Sequence, residues 1–176
     1  MRRLAVLVVV GSLTLVLGGC RKRERVKVEL TEEGTGQLSS FVHAADPRAS
    51  IQFVKGFHDI EMNSWRWTMG KFSVTLRPPK DAATKGAVLQ LKMSVPDAII
   101  ERLKSVSLTA AVNGQKLPPE TFSKPGEYVF SRDVSAAAFT GDSAVVDFTL
   151  DKFLAPGQVD QRERGIVVSS VGFEPK

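Results

Sequence analysis

From about Ala49 to the end of the chain, apolar residues recur at every second position, and this alternation constrains the fold most. The clearest example is the segment 71–77, whose apolar members are Phe72, Val74 and Leu76. Successive side chains of a strand point to opposite sides, so the pattern predicts a strand with one buried face and one solvent face. Pro78–Pro79 ends this strand, because proline has no amide hydrogen to donate to a ladder.

The same alternation predicts further strands. Their inward residues are Leu89, Leu91, Met93 and Val95; Val106, Leu108, Ala110 and Val112; Tyr128, Phe130 and Val134; Val146, Phe148 and Leu150; and Ile166, Val168, Val171 and Phe173. The last group changes phase near Ser169–Ser170, which predicts a β-bulge. Asn113–Gly114 supplies the two positive-φ residues of a type I′ hairpin turn.

A helix is indicated at one place only, the segment 97–104 after Pro96, with a length of about two turns. The connections between the strands are too short for repeated crossover helices. About eight short strands with frequent turn signals therefore predict an all-β fold. We expect a two-sheet antiparallel β-sandwich of the jelly-roll type over residues 49–176.

The beginning of the chain has the pattern of an export signal. Arg2–Arg3 precedes an apolar segment, residues 4–17, which is shorter than the ~20 residues that span a bilayer. The segment ends in Leu17-Gly18-Gly19-Cys20, which resembles the lipobox of bacterial lipoproteins. This resemblance implies that residues 1–19 are a cleaved signal peptide and that Cys20 carries a diacylglyceryl thioether and an acyl chain such as palmitate. The alternative is an ordinary signal peptide, or an uncleaved helix, with an incidental cysteine.

Cys20 is the only cysteine of the chain, so the fold has no internal disulfide. Residues 20–48 are expected to form a lipid-anchored basic tether and linker, with one short strand at 26–30 as an option. Much of the net charge of +5 lies in residues 21–27, next to the predicted anchor. Two interpretations of this charge stay open: a contact with anionic headgroups, or a solvated leader that holds the domain away from the surface.

The charge distribution also bears on partners and location. Because the basic residues are concentrated at 21–27, the pI near 9.5 does not favour nucleic acid as a partner. Similarity to Gram-negative lipoproteins implies that an Asp directly after the cysteine favours the inner membrane. Arg21 stands there instead. We therefore expect a bacterial cell-envelope protein on the outer membrane, facing the periplasm, if the cell is Gram-negative.

Both tryptophans of the chain lie in one short segment, Trp65-Arg66-Trp67-Thr68. On a strand the two indole rings share one face, and Arg66 and Thr68 share the other. The rings either form a platform on which a sugar stacks, or they belong to the core. If they are core, Arg66 points outward and pairs with a carboxylate such as Glu61.

The densest charge cluster of the predicted domain is the segment 160–165, which precedes the last strand. Arg162 and Arg164 have planar guanidinium forks that suit bidentate contact with a carboxylate or a phosphate. A mixed cluster of this kind in a loop is also typical of a solvated turn with weak ion pairs. Both interpretations are kept as hypotheses, with preference for the structural one.

Catalytic and metal-binding motifs are missing from the sequence. His43 and His58 are the only histidines, and no second cysteine completes a tetrahedral zinc site. The sequence has no G-x-S-x-G motif and no glycine-rich phosphate loop before a helix. We therefore expect no catalytic residues, no metal and no cofactor.

One further resemblance covers most of residues 53–174. Its landmarks are Gly56-Phe57-His58 with Glu61, Trp65 to Thr68, Val112 to Gln115, Pro125 to Tyr128, Phe153 with Pro156, and Asp160 to Gly165. These resemble landmarks of an uncharacterised bacterial β-sandwich module of the galactose-binding type, which accompanies sugar-handling enzymes such as glycosyltransferases. The resemblance implies a jelly roll with a bias toward carbohydrate, although its landmarks are turn and core residues.

Together these observations predict a lipid-anchored envelope β-sandwich with a non-catalytic role in binding a glycan or a partner protein. The candidate ligand-binding residues are Trp65, Arg66, Trp67, Arg162 and Arg164. One alternative is a structural or assembly lipoprotein of a membrane complex. A less favoured alternative is a small glycan hydrolase with a carboxylate pair in a cleft.

Overall fold

The computed structural model describes residues 37–158 and 160–176. The predicted signal peptide, Cys20 and the segment 26–30 lie outside these residues. The strands are β1 Phe41–His43, β2 Phe53–Glu61, β3 Trp65–Leu76, β4 Ala87–Val95, β5 Val106–Val112, β6 Gln115–Lys116, β7 Glu120–Phe122, β8 Gly126–Val134, β9 Ala144–Leu150 and β10 Val167–Pro175. The helices are α1 Ala82–Lys85 and α2 Asp97–Leu103, with 3₁₀ turns at Pro47–Gln52 and Ala136–Ala138.

All strand pairs are antiparallel, in the order β6-β5-β9-β3-β10-β4-β8, with β1 beside β10, β2 beside β3 and β7 beside β5. The long strand β3 has two different neighbours on one side. Its residues 66–67 pair with β10, and its residues 71–76 pair with β9. The sheet therefore curls about β3 into a β-sandwich. Its first layer holds β5, β9, the second half of β3 and the beginning of β2, whose residues 57–61 continue beside the first half of β3. Its second layer holds β10, β4, β8 and the first half of β3.

The inward side chains of both layers form the core. At its centre the ring of Phe72 stacks on the ring of Phe148, with centroids 4.8 Å apart. Phe57 meets Phe72 edge to face at 5.3 Å, and Phe53 meets Phe57 at 4.8 Å. Because aromatic rings bury a large area and favour these geometries, this row stabilises the sandwich without a disulfide.

The alternation correctly predicted the inward residues, and the all-β fold is confirmed. The register of β10 against β4 shifts between Val168 and Ser170, where the bulge was expected. Asn113 and Gly114 both have positive φ, at 47° and 83°, as a type I′ turn requires. Helix α2 follows Pro96 and is the only α-helix of more than four residues in the part of the chain that the structure describes.

The start of the domain and one short helix were not predicted. Strand β1 pairs with residues 170–172 of β10, and Val42 and Ala44 are buried. The sandwich therefore begins before Ala49, and the last part of the segment 20–48 is not linker. The alternation missed β1 because a strand of three residues is too short to establish a period. Helix α1 is one turn long and follows Pro78–Pro79 closely, where the sequence indicated only a strand end.

No helix among the described residues is long and apolar enough to cross a bilayer.

We predict that Phe72→Ala lowers the free energy of unfolding by about 3–5 kcal/mol, since it removes a fully buried ring and leaves a cavity. The matched surface change Val129→Ala, at a side chain that is 52% exposed, should alter it by less than about 0.5 kcal/mol. Urea unfolding followed by tryptophan fluorescence measures both. Equal losses for the two variants would contradict this description of the core.

Candidate binding groove and the loop beside it

The first half of β3 places both tryptophans on the outer face of the second layer. Trp65 and Trp67 are half-buried, whereas the intervening Arg66 and the following Thr68 are buried. Met69, the next outward residue in the same alternation, is 37% exposed. The two rings thus share one face, as predicted, and that face is the outer one. Trp67 packs against the buried core cluster as a partly buried side chain, so the interpretation as core holds in part for Trp67.

Arg66 points inward, and the prediction that it faces solvent and pairs with Glu61 is wrong. Its Nε donates to the carbonyl of Ala44 at 3.0 Å, its Nη1 to the carbonyl of His58 at 3.0 Å, and its Nη2 to Ser50 Oγ at 3.2 Å. The guanidinium also lies 5.2 Å from the ring centroid of Phe53. Burial lowers the pKa of Arg66. Through these contacts the buried Arg66 side chain links β3 to β2 and to the segment after β1, and all three guanidinium nitrogens form hydrogen bonds inside the domain.

The loop of residues 151–158 and 160–165, here called the strap, runs alongside β3 between the parts of β3 that pair with β10 and with β9, where it contacts the backbone of Thr68 and Gly70. Its two ends are joined by a bridge in which Leu154 and Arg164 exchange backbone hydrogen bonds of 2.9 Å. The ring of Phe153 lies directly over Gly70, where any side chain would collide with it. The Gly70 amide donates to Glu163 Oε1 at 2.6 Å, and His58 Nε2 contacts the Glu163 carbonyl at 2.7 Å. The strap is thus held by backbone, side-chain and ring contacts.

The arginines of the strap have acidic partners within the chain. Arg162 Nη1 donates to Glu61 Oε1 at 2.7 Å, and its Nε donates to Asp160 Oδ2 at 3.2 Å. Arg164 Nη2 also donates to Asp160 Oδ2. The hydrogen bond from the Arg162 amide, together with these two guanidinium groups, lowers the pKa of Asp160 to about 2. Partners inside the chain favour the structural interpretation of Arg162 and Arg164 over anion binding.

The strap covers one of the two tryptophan rings and leaves the other exposed to a groove. The Arg164 guanidinium stacks 4.7 Å from the Trp67 ring centroid, so that this ring is covered on one side. Trp65 instead forms one wall of an open groove of about 290 Å³. The other lining residues are Lys92, Met93, Ser94, Glu127, Tyr128, Val129, Val167 and Ser169. Only one of the two predicted rings therefore faces a space that a ligand can fill.

Strand register explains why these distant residues meet. Val167 is opposite Trp67 on one side and Ser94 on the other, and Ser94 is opposite Glu127. Lys92 is likewise opposite Val129. Neighbouring strands lie about 4.8 Å apart, so the groove runs about 14 Å across the strands from β3 to β8. It combines an aromatic wall, an apolar floor and both signs of charge.

None of the groove residues except Trp65 was identified from the sequence. The alternation in β4 and β8 does show which residues point outward, and these include Lys92, Ser94, Glu127 and Val129. Their meeting depends on the strand order β3-β10-β4-β8, which alternation alone does not reveal. The position of Ser169 in the groove also depends on the bulge in β10, where Ser169 Oγ lies 3.2 Å from the Lys92 carbonyl oxygen.

A second, larger cleft of about 710 Å³ lies at the end of the first layer. Its lining includes Arg77, Asp81 and Asp142. Both carboxylates are exposed, and Asp81 faces Lys85 at 3.5 Å. Two carboxylates that act as an acid and a base need two different surroundings, and the carboxylates of this cleft are both exposed.

Among the described residues, no three His, Cys, Asp or Glu side chains gather in a metal-binding cluster.

Comparison with known proteins gives no family assignment. No protein-family model matches the sequence, and no curated protein matches it. Among solved structures, the chain is similar to the CBM36-1 domain of a multidomain xylanase from the hindgut metagenome of Trinervitermes trinervoides. That similarity has 11% identity and a TM-score of 0.42, and covers 77% of this chain and 96% of that domain. Dimeric latent PorU from Porphyromonas gingivalis is similar at 7% identity and a TM-score of 0.38, over 78% of this chain and 13% of PorU. Both similarities are remote.

We predict that Asp160→Asn destabilises the domain at neutral pH and that this difference disappears in acid. The folded pKa of about 2 lies below the usual value of 3.8, so the ionised carboxylate stabilises the fold above about pH 4. That contribution is lost as the pH falls from about 4 through 2. Urea unfolding of both proteins between pH 7 and pH 2 measures it.

Asp142→Asn, a change at an exposed loop position, is the matched control and should follow the unsubstituted chain at every pH. A constant difference between Asp160→Asn and the unsubstituted chain down to pH 2 would mean that the charge of Asp160 does not hold the strap.

Proposed function

We propose that this protein is a non-catalytic glycan-binding β-sandwich that is held in the bacterial cell envelope by lipid on Cys20. The observation that carries the binding role is the groove beside Trp65, in which a half-buried indole ring faces open space. Arg66, Arg162 and Arg164 support the fold around the groove and are not part of the proposed contact.

The aromatic wall supports a sugar more than other small ligands. The face of an indole ring is electron-rich, and the C–H face of a pyranose presents weakly positive hydrogens to it. A planar ring therefore stacks on a sugar with little loss of conformational freedom. The groove is also open and shallow across three strand spacings, which suits an extended chain of sugars more than a compact cofactor.

The remaining lining supplies hydrogen-bonding groups for sugar hydroxyls. Ser94 donates and accepts, Glu127 accepts, and Lys92 donates. Ser169 accepts, because its hydroxyl donates to the Lys92 carbonyl. Among the described residues, neither the Lys92 ammonium nor the Glu127 carboxylate has a salt-bridge partner within 4.0 Å. A few convergent polar groups around an apolar wall are typical of sites that orient a ligand.

The anchor is supported by the sequence at 17–20. A lipobox-like segment after an apolar stretch of 4–17 indicates cleavage before Cys20 and attachment of acyl chains to it. Two or three buried chains hold a protein stably, because each CH₂ contributes ~0.8 kcal/mol. Glycan binding from such an anchor would attach the envelope membrane to polysaccharide.

We predict that Trp65→Ala weakens glycan binding about tenfold, a change of ~1.4 kcal/mol that matches the loss of one stacking contact. Affinity electrophoresis of the full chain in detergent, through gels that contain xylan, galactan, chitosan or polygalacturonate, measures the retardation. Trp65→Phe should retain most of the retardation, because it keeps a ring at the same place.

Val145→Ala, on the outer face of the first layer, is the matched control and should migrate like the unsubstituted chain. If no polysaccharide retards the unsubstituted chain, glycan binding is wrong. If Trp65→Ala leaves the retardation unchanged while urea unfolding confirms its fold, the groove is not the site.

The anchor is tested by metabolic labelling with radioactive palmitate in a bacterium that processes lipoproteins. The unsubstituted chain and Arg21→Ala should incorporate label, and Cys20→Ala should incorporate none, because the chain has no other thiol to modify. Label that persists in Cys20→Ala would contradict the proposed attachment.

A further inference from the structure

We infer that the outer face of the first layer rests on the lipid surface, through an apolar patch formed by Ile51, Val54 and Val145. This inference rests on the proposed lipid anchor at Cys20. Such a contact turns the groove of the second layer away from the membrane and toward the polysaccharide of the envelope.

The patch is built from three exposed large apolar side chains. Ile51 is 72% exposed, Val54 is 56% exposed and Val145 is 39% exposed. They lie close together, because Thr75 of β3 is opposite Val145, and its carbonyl accepts a hydrogen bond of 2.9 Å from Gln52 Nε2. Val145 therefore lies beside Thr75 on one side, and Gln52, the neighbour of Ile51, contacts Thr75 on the other. Val54 lies between Phe53 and Lys55 of β2, which are opposite Val74 and Ser73 of β3.

Charged pairs border the patch. Lys55 Nζ lies 3.8 Å from Asp147 Oδ1, and Arg48 Nε lies 3.1 Å from Asp46 Oδ1. Both cationic side chains are largely exposed. An exposed apolar patch with a charged border is typical of an interaction surface. On an anionic bilayer the border cations can exchange their weak partners for headgroups, while the apolar side chains enter the interface.

The patch adjoins the place where the chain enters the domain, and this proximity selects lipid as its occupant. The Ser39 amide donates to Gln52 Oε1 at 3.0 Å, and the Ser39 carbonyl accepts from Gln52 Nε2 at 3.0 Å. Gln52 is the immediate neighbour of Ile51. The first described residue is Gln37, which lies at most ~60 Å of extended chain from Cys20. A tether of this reach gives the bilayer a high effective concentration at the patch, so a weak apolar contact suffices.

The groove lies on the opposite outer face. Two packed sheets present their outer faces in opposite directions. Trp65 and Thr75 are also ten residues apart on β3, which corresponds to about 33 Å along the strand. Lipid contact at the patch therefore leaves the groove free.

The experiment uses the lipidated full chain in vesicles of phosphatidylethanolamine and phosphatidylglycerol. Because the sulfur of Cys20 is held in a thioether, a new cysteine is the only thiol open to a maleimide fluorophore. The probe is placed at Val54→Cys or, as the matched control, at Val129→Cys on the groove face, where the native valine is 52% exposed. Lipids with nitroxide-labelled headgroups then quench the fluorophore according to its proximity.

We expect several-fold stronger quenching at Val54→Cys than at Val129→Cys. Adding Ile51→Glu and Val145→Glu to the Val54→Cys protein should reduce its quenching to the level of Val129→Cys. Equal quenching at the two positions would overturn the orientation and leave glycan binding and the anchor intact. Disulfide cross-linking of two copies through Val54→Cys, with no quenching there, would also overturn it and assign the patch to a second copy. A purified chain whose mass lacks acyl groups would overturn the anchor itself, and the orientation with it.

Discussion

The structure depends on how the backbone of β3 is satisfied where its neighbours change. Residues 66–67 pair with β10 and residues 71–76 with β9, so the residues between them need other partners on that side. The Thr68 amide donates to Ile166, and its carbonyl accepts from Gly165 at 2.7 Å. The Gly70 amide donates to the Glu163 carboxylate. Because a buried unpaired amide is costly, this gap fixes the strap against β3.

This constraint accounts for motifs that otherwise look like candidates for ligand chemistry. The strap can approach β3 closely only where residue 70 has no side chain, since the ring of Phe153 occupies that space. His58, Glu61 and Trp67 each contact a different residue of the strap, namely Glu163, Arg162 and Arg164. The landmarks at 56–61, 65–68, 153 and 160–165 thus meet at one place. They specify how a loop docks on a strand.

The sequence predicted the inward residues of the strands, which depend on the local alternation, and missed the burial of Arg66, which depends on tertiary contacts. Phe72, Val74 and Leu76 are inward because a half-buried strand alternates, and the same holds for the inward residues of β4, β5, β8 and β9. Arg66 breaks the rule that charge points outward. Its burial is tolerated because Ala44, Ser50 and His58 supply acceptors from three other segments. No periodicity in residues 65–76 reveals these partners, so hydrophobicity alone assigns the two faces of Trp65 to Thr68 the wrong way round.

The groove likewise depends on tertiary contacts, which also explain why two identical side chains on one face have different surroundings. Trp67 lies beside the gap in β3, so the strap that fills the gap also brings Arg164 over its ring. Trp65 lies two residues nearer the turn from β2, beyond the end of the strap, and its ring borders open space. The distinction follows from where β10 stops and β9 begins along β3. A change in that register would move the strap along the strand and with it the position at which an aromatic side chain remains accessible.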